Sequence, residues 1–219
     1  MNDLIHKQGV YYSATRTDML KYIDNKPKRI LEIGCGEGNF AQNFPNAEYW
    51  GVEPNEEVVR KATTIGRRVL LGTYEAVAGK IPNNHFDLIA CNDVIEHMVD
   101  PISFLKDVKA KLRSGGKLIA SIPNIRYAPL LFNLVFHGEF DYTESGLMDY
   151  THLHFFTPKS FTKIASRCGW IVEISEPLSI APFKPLKKLI LKLLENGSND
   201  MRNIQFAVRL SPAPVTQSP

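Results

Sequence analysis

The residues with the clearest chemical potential stand together in Glu32-Ile33-Gly34-Cys35-Gly36-Glu37-Gly38. Glycines in such a run let the backbone approach a ligand closely and take turns that a side chain resists. Their spacing is GxGxG; a dinucleotide fingerprint would put its third glycine at position 39, which is Asn39. A pyrophosphate seeks backbone amides and no neighbouring negative charge, yet Glu32 and Glu37 flank this loop with carboxylates. A cationic ligand is the better fit. Glu53, at the end of the next apolar run, could accept hydrogen bonds from both hydroxyls of a ribose. Glu32 has a second reading, as a carboxylate that stabilises a helix N-terminus.

Three histidines follow. His97 closes NDVIEH, and His152 and His154 lie in DYTHLHFF. Two apart in an extended stretch, His152 and His154 would share one face, so with Asp149 they could form a base and its orienter, or bind metal. A third firm ligand is not visible, and no metal is expected. Packing or capping is the alternative for this pair, and a helix-end position the alternative for His97.

The elements that must hold these groups alternate. RILEI reads as a strand, EGNFAQNF as a short helix stopped by Pro45, YWGVE as a second strand, and a helix then opens at Asn55 and stops at Gly66. Arg68 to Leu71 is a third strand and FDLIAC a fourth. Asp100-Pro101 starts a helix whose stripe is Phe104, Leu105, Val108 and Leu112, with Lys106, Asp107, Lys109 and Lys111 opposite and Ser114, Gly115 and Gly116 as its end. KLIASIP is a fifth strand. Residues 125–156 break the rhythm with an aromatic-rich insertion, read as an acceptor lid or a docked helix. Thr157-Pro158 opens another helix closed by Gly169, and WIVEI and IQFAVRL are the last strands. The pattern is α/β, with helices on both faces of a largely parallel sheet.

At 219 residues, 44% apolar and 22% charged, the chain suits one globular domain. We divide it into an N-terminal helical cap at 1–27, a domain at 28–212 and a frayed tail at 213–219. A net charge of +3, with scattered cations, leaves no footprint for nucleic acid. Cys35, Cys91 and Cys168 are few, odd in number and far apart, which suits reduced thiols and a cytoplasmic location; neither a leader nor a membrane span is visible. The Lys184, Lys187, Lys188 and Lys192 stripe is either a solvated face or a transient contact with an anionic membrane. Oligomeric state is left open.

The order of segments from about Arg29 to Ile174 resembles the class I S-adenosylmethionine (SAM)-dependent methyltransferases. LEIGCGEG is similar to that family's first motif, and Glu53 to its acidic second-strand end. FDLIACNDVIEH, VDPISFLKDVKAKLRSGGKLIASIPN and HFFTPKSFTKIASRCGW resemble its fourth strand, following helix, fifth strand and closing helix. The resemblance implies a Rossmann-like sheet of seven mostly parallel strands with the last antiparallel, and SAM as cofactor. It assigns Gly34, Gly36 and Gly38 to the methionine and ribose portion, Glu32 to the ammonium side and Glu53 to the ribose. Thr73, Tyr74 and Glu75 would bracket adenine, although the family's common Asp is missing there, and Asn92 and Asp93 would meet the methionine moiety. Tyr11 and Tyr12 would close over the sulfonium or pack in the core.

DYTHLHFF, the TP-started helix and the CGW turn look like those of methyltransferases from bacterial surface-polysaccharide clusters and of the ubiquinone-type group. The expected acceptor is therefore a small molecule or glycan, foremost a sugar hydroxyl, with a quinone precursor as alternative and a non-catalytic SAM-binding module as rival. A sugar hydroxyl is a poor nucleophile, so His152, His154 and His97 are the candidates for taking its proton.

Overall fold

The computed structural model describes residues 14–64, 67–178, 180–182, 191, 192, 194, 198 and 200–214. A 3-10 turn at Thr17–Tyr22 precedes β1 (Arg29–Ile33), β2 (Glu48–Glu53), α1 (Glu56–Thr64), β3 (Arg68–Leu71), α2 (Tyr74–Val77), β4 (Phe86–Asn92), α3 (Pro101–Asp107) and β5 (Leu112–Pro123). The chain continues through α4 (Ala128–Phe132), α5 (Pro158–Arg167), β6 (Trp170–Pro177) and β7 (Gln205–Pro212). The sheet has seven strands in the order β3-β2-β1-β4-β5-β7-β6. β1 to β5 pair in parallel and β7 runs antiparallel to both β5 and β6. Because β2 lies on one side of β1 and β4 on the other, the strand order reverses at β1, and a crevice opens beyond the carboxyl ends of these strands.

Alternation along the central strands feeds two cores. Leu31, Ile33 and Ile89 join Phe104, Phe161, Trp170 and Phe206 on one face, while Ile30, Leu88 and Ile119 join Met19, Tyr22 and Phe40 on the other. Burial on both faces explains why these strands read as unbroken apolar runs. The helices start where their caps dictate. The Asp100 carboxylate accepts from the Ile102 and Ser103 amides at 3.1 and 2.9 Å. Thr157 and Ser160 form a reciprocal capping box ahead of α5.

Three expectations need correction. The element after the glycine loop is a 3-10 turn, Asn39–Asn43, in place of an α-helix, since only a few residues separate Gly38 from the Pro45 stop. The helix from Asp100 ends at Asp107 and passes through a 3-10 turn into β5 at Leu112, so Ser114, Gly115 and Gly116 lie within a strand. Gly116 answers a close approach there, because a Cβ would sit 2.8 Å from the Phe86 carbonyl oxygen. Lys111, assigned to a solvated stripe, is buried. Its ammonium donates to the carbonyls of Ala78 and Ile81 at 2.9 and 3.1 Å and to Asn83 Oδ1 at 2.9 Å, binding the turn before β4 to the start of β5.

The insertion is a docked helix with an exposed tip. Ala128 of α4 packs on Leu191 and Met201, and the helix runs into a π-helical turn, Asn133–His137, where Val135 and Phe136 are largely exposed. Tyr11, Tyr12, Lys184, Lys187 and Lys188 lie outside the described residues, as do parts of the proposed cap and tail; Lys192 is exposed. No helix among the described residues is long and apolar enough to cross a membrane. All three cysteines are free and buried.

Replacing Lys111 by Met keeps the aliphatic stem but removes the donor from one buried and two part-buried contacts. Loss of a charged donor from such groups costs about 3 kcal/mol. Lys111→Met should lower the denaturant midpoint accordingly, measured by chemical unfolding at constant m-value.

Candidate functional site

The carboxyl ends of β1, β2 and β4 face one cavity of about 600 Å³, within the size range of small-molecule sites. Its floor is the turn after β1. The amides of Gly34 and Cys35 both donate to the Val52 carbonyl, at 2.8 and 3.1 Å, folding the loop back against β2. Gly34 has φ +66°, and a Cβ there would meet Val94 Cγ2 at 2.5 Å, so this position tolerates no side chain. Gly36 donates its amide to Glu53 Oε2 at 3.1 Å, and the Asn55 amide holds Oε1 at 3.0 Å. Gly38 stands outside the cavity wall, where it starts the following 3-10 turn.

Two buried carboxylates dominate the electrostatics. Glu32 accepts from the Tyr49 hydroxyl on Oε2 and from Asn92 Nδ2 on Oε1 at 3.1 Å. Burial pushes its pKa up to about 8, against the opposing pull of those two donors. Glu53 is also held above the usual carboxylate range by burial, opposed by the Asn55 and Gly36 amides. Beside Glu32 the Asn92 Oδ1 atom is buried with no hydrogen-bond partner among the described residues. A wall offering acceptors and proton-hungry carboxylates calls for a ligand rich in donors or positive charge.

The other assigned residues take up more varied positions. Asp93 has φ +56°, and its Oδ1 accepts from Ser121 Oγ at 2.8 Å and Gln205 Nε2 at 2.9 Å while Oδ2 pairs with Arg16. Its side chain is therefore engaged inside the protein and presents Arg16, itself on the cavity wall, to the ligand space. Thr73, Tyr74 and Glu75 line the cavity beyond Glu53. The Tyr74 hydroxyl is committed to Asp107 and its ring edge rests on Phe104 with centroids 4.9 Å apart, so it offers surface and no polar group.

Among the three histidines His97 alone lines this cavity. Its Nδ1 lies 3.0 Å from both the carbonyl oxygen and Oγ1 of Thr151. His152 is buried behind it, ring centroids 4.7 Å apart, with Nδ1 3.0 Å from the Leu147 carbonyl. His154 sits over Phe156, with Nε2 3.4 Å from the Val99 carbonyl. His152 and His154 contact different groups, His97 and Glu96 for the first and Phe156 and the Val99 carbonyl for the second. The amides of Leu153 and His154 both donate to the Glu96 carbonyl, at 2.9 and 3.0 Å, which anchors the segment between the two rings. Asp149 caps the turn just before it, its Oδ1 accepting from the Thr151 amide and hydroxyl at 2.9 and 2.7 Å.

Sequence reasoning missed Arg16, Gln205, Tyr150, Thr151 and Leu153, all on the wall, and Glu96 just behind it. Nothing near Arg16 marks it as special, since its value comes from contact with a residue on β4's far end. Glu96 carried a signal, as an acidic residue beside His97.

Comparison with known proteins places this geometry. Residues 4–173 match the model of a methyltransferase domain family. An uncharacterized methyltransferase of Schizosaccharomyces pombe is 31% identical over 141 residues, covering 58% of this chain and 49% of that protein, so the match spans about half the relative's length. A ubiquinone biosynthesis O-methyltransferase of Coxiella burnetii is 29% identical over 161 residues, 68% of each chain. The fold is shared with a SAM-dependent methyltransferase of Archaeoglobus fulgidus, at TM-score 0.66 and 16% identity over 95% of this chain and 96% of that one. SAM fits the donor set. Glu32, with the Asn92 Oδ1 acceptor beside it, has the chemistry an ammonium asks for, and Glu53 has the acceptor chemistry that ribose hydroxyls ask for.

The pKa of Glu32 sets a pH dependence. The ligand-free carboxyl holds its proton up to about pH 8. A bound ammonium favours the ionised form, so binding of S-adenosylhomocysteine should release a proton below that pH. Affinity should then rise with pH from about 6 to 8 and level off, by at most about tenfold per unit. Calorimetry in buffers of different ionisation enthalpy measures the proton count; Glu32→Gln should bind more weakly and release none.

Proposed function

The chain belongs to the methyltransferase-domain family and uses SAM as methyl donor, and from that premise we propose that it is an O-methyltransferase for a small, ring-bearing hydroxyl acceptor. The observation that carries this reading is the continuity of the cavity. The wall with Glu32, Gly34 and Glu53 runs without a break into one built from His97, Met98, Val99, Tyr150, Thr151 and Leu153.

SAM, when bound, supplies an electrophilic methyl group on a sulfonium. What the chain must add is alignment and exclusion of water. Glu32 would hold the cofactor's ammonium and Glu53 its ribose, and Arg16, kept at the wall by Asp93, would face its carboxylate. His97 is the imidazole that meets the acceptor hydroxyl. With Nδ1–H donated to Thr151, its Lewis-basic atom is Nε2. His97 Nε2 would take the proton of the acceptor hydroxyl as the walls hold its oxygen in line with the methyl group and its sulfur.

The wall chemistry favours an aromatic ring over a sugar. Met98, Val99 and Leu153 give apolar surface for a ring beside the polar side chains of His97, Tyr150 and Thr151, and the Thr151 hydroxyl is already engaged by Asp149. A phenolic hydroxyl, ionising near pH 10 as in tyrosine, also needs less activation than an alcohol. The similarity to the Coxiella burnetii ubiquinone biosynthesis O-methyltransferase supports the same choice, a quinone-precursor type of acceptor. The surface-polysaccharide role expected from the sequence draws no support from the relatives' names.

S-adenosylhomocysteine formation over a panel of hydroxylated aromatic rings and free or nucleotide-linked sugars tests the reading. Turnover on rings is expected, and turnover confined to sugars would overturn the acceptor class. His97→Gln should lower kcat by about 10² to 10³ with cofactor Kd unchanged, while His154→Gln retains activity. Equal kcat for His97→Gln would remove its role.

Arg16 has its own test. Arg16→Met should weaken S-adenosylhomocysteine binding about 10- to 100-fold, the loss of one charge-assisted contact. It should leave 5′-deoxy-5′-methylthioadenosine, which lacks the amino-acid end, bound as before. Equal losses for both ligands would assign Arg16 to the fold alone.

A further inference from the structure

The amino-terminal edge of the parallel strands, at the far end of the sheet from the cofactor cavity, holds a second concavity of about 390 Å³ that methyl transfer leaves unused. It lies where β1 and β4 begin, between the turn that precedes β1 and the first residues of β5, and the antiparallel β7 brings Arg209 to the same edge. Cations that are scattered along the sequence are gathered here by the fold. Lys26, Lys28, Arg29, Arg113, Lys117 and Arg209 line the space against Asp24 and Asp87. The two cavities share no wall residue.

Some of these charges are already engaged. Asp87 accepts from the Lys28 and Arg29 amides at 2.7 and 2.9 Å and pairs with Arg113. Arg209 pairs with Asp24 and, at 2.9 Å, with Glu173, which Lys117 also binds, while Arg29 lies 3.7 Å from Glu48. Both acids on the wall are thus neutralised. Arg113 meets Asp87 through Nε alone, so its Nη groups remain. The ammonium groups of Lys26 and Lys28 have no ion pair or hydrogen bond among the described residues. A further observation is independent of charge. Tyr22, on the same wall, is only 2% exposed, and its hydroxyl is buried with no hydrogen-bond partner among the described residues. A buried hydroxyl left unpaired carries a cost that a ligand's acceptor atom removes.

We propose that this cavity binds the phosphate group of a small phosphate ester whose body rests on Ile23, Pro27 and Leu88. Two ammonium groups, a guanidinium fork and a phenolic hydroxyl are the free donors. A phosphate matches them, with three acceptor oxygens and about two negative charges, whereas a carboxylate offers two oxygens in one plane. A nucleic-acid backbone suits the site less well: the site is a closed-in hollow with apolar wall residues, and the whole chain carries a net charge of only +3. The inference stands apart from the acceptor assignment, since no residue of the methyl-transfer site takes part in it.

The probes are phenyl phosphate, inorganic phosphate and a single-stranded RNA, each titrated by calorimetry into full-length protein saturated with S-adenosylhomocysteine so that the cofactor cavity is filled. Phenyl phosphate should bind at a single site per chain, and more tightly than inorganic phosphate because its ring meets the apolar wall. Replacing both surface lysines, Lys26→Gln with Lys28→Gln, should weaken it about 10- to 100-fold, the loss of charge-assisted contacts. S-adenosylhomocysteine affinity, unchanged in the same variant, reports that it is folded. Tyr22→Phe should weaken phenyl phosphate roughly 3- to 10-fold without lowering Tm, because the hydroxyl it removes has no partner in the fold. A Tm change with phenyl phosphate affinity intact would make Tyr22 a core residue only and take it out of the site. The site itself is overturned by absence of saturable phenyl phosphate binding, by full retention of binding in the double lysine variant, or by RNA binding where phenyl phosphate does not. Equal affinity for inorganic and phenyl phosphate would overturn the ester assignment.

Discussion

The structure turns on two carboxylates kept out of water at the ends of neighbouring strands. Glu32 lies one residue before the end of β1 and Glu53 closes β2, and the glycine turn is folded so that its Gly36 amide reaches Glu53. Everything around them limits the cost of that burial. Tyr49 from β2 and Asn92 from β4 supply donors to Glu32, and the Asn55 amide at the mouth of α1 supplies one to Glu53. The compensation for Glu32 is incomplete, as its raised pKa shows. Between its ordinary pKa and about 8 the folded chain holds a proton that the unfolded chain has released, so this group's contribution to stability falls as pH rises through that window. A deficit of this kind at the centre of the fold is what a cationic ligand relieves.

The parallel sheet was legible in the sequence because strands buried on both faces leave continuous apolar runs, and the turn after β1 was legible because its glycine spacing has few other uses. Glu53 followed from its place at a strand end. What escaped was long-range. Lys111 looks like one more surface lysine on a helical stripe, and only the chain crossing beneath it, from Ala78 to Asn83, turns it inward. No periodicity in its own segment records that crossing.

The histidine-bearing segment was legible in its residues and not in its contacts. Period-two reasoning put His152 and His154 on one face, which holds for a strand in a sheet. Here the backbone is anchored at the Glu96 carbonyl by two successive amides, with no neighbouring strand among the described residues to pair with. The same carbonyl belongs to the residue whose carboxylate faces His152. Glu96 thus ties the insertion to the end of β4 twice, through its backbone and through its side chain, and places His97 where the cavity needs it. Residues 147–154 gain their definition from this junction more than from their own propensity.

A comparable economy governs the opposite wall. Asp93 occupies left-handed backbone, a conformation that aspartate tolerates better than most residues, so that its carboxylate turns back to Ser121 on β5 and Gln205 on β7. The antiparallel β7 lies directly beside β5, and this adjacency alone lets a residue from the chain's last strand reach a turn that leaves β4. Arg16 completes the arrangement by bringing the segment before β1 onto the same carboxylate. The cation that faces the ligand space is therefore positioned by three strands and a turn, and its charge offsets part of the negative field of Glu32 close by. A carboxyl and a guanidinium thus stand on one wall, the first held from β2 and β4 by Tyr49 and Asn92 and the second through β5 and β7 by way of Asp93.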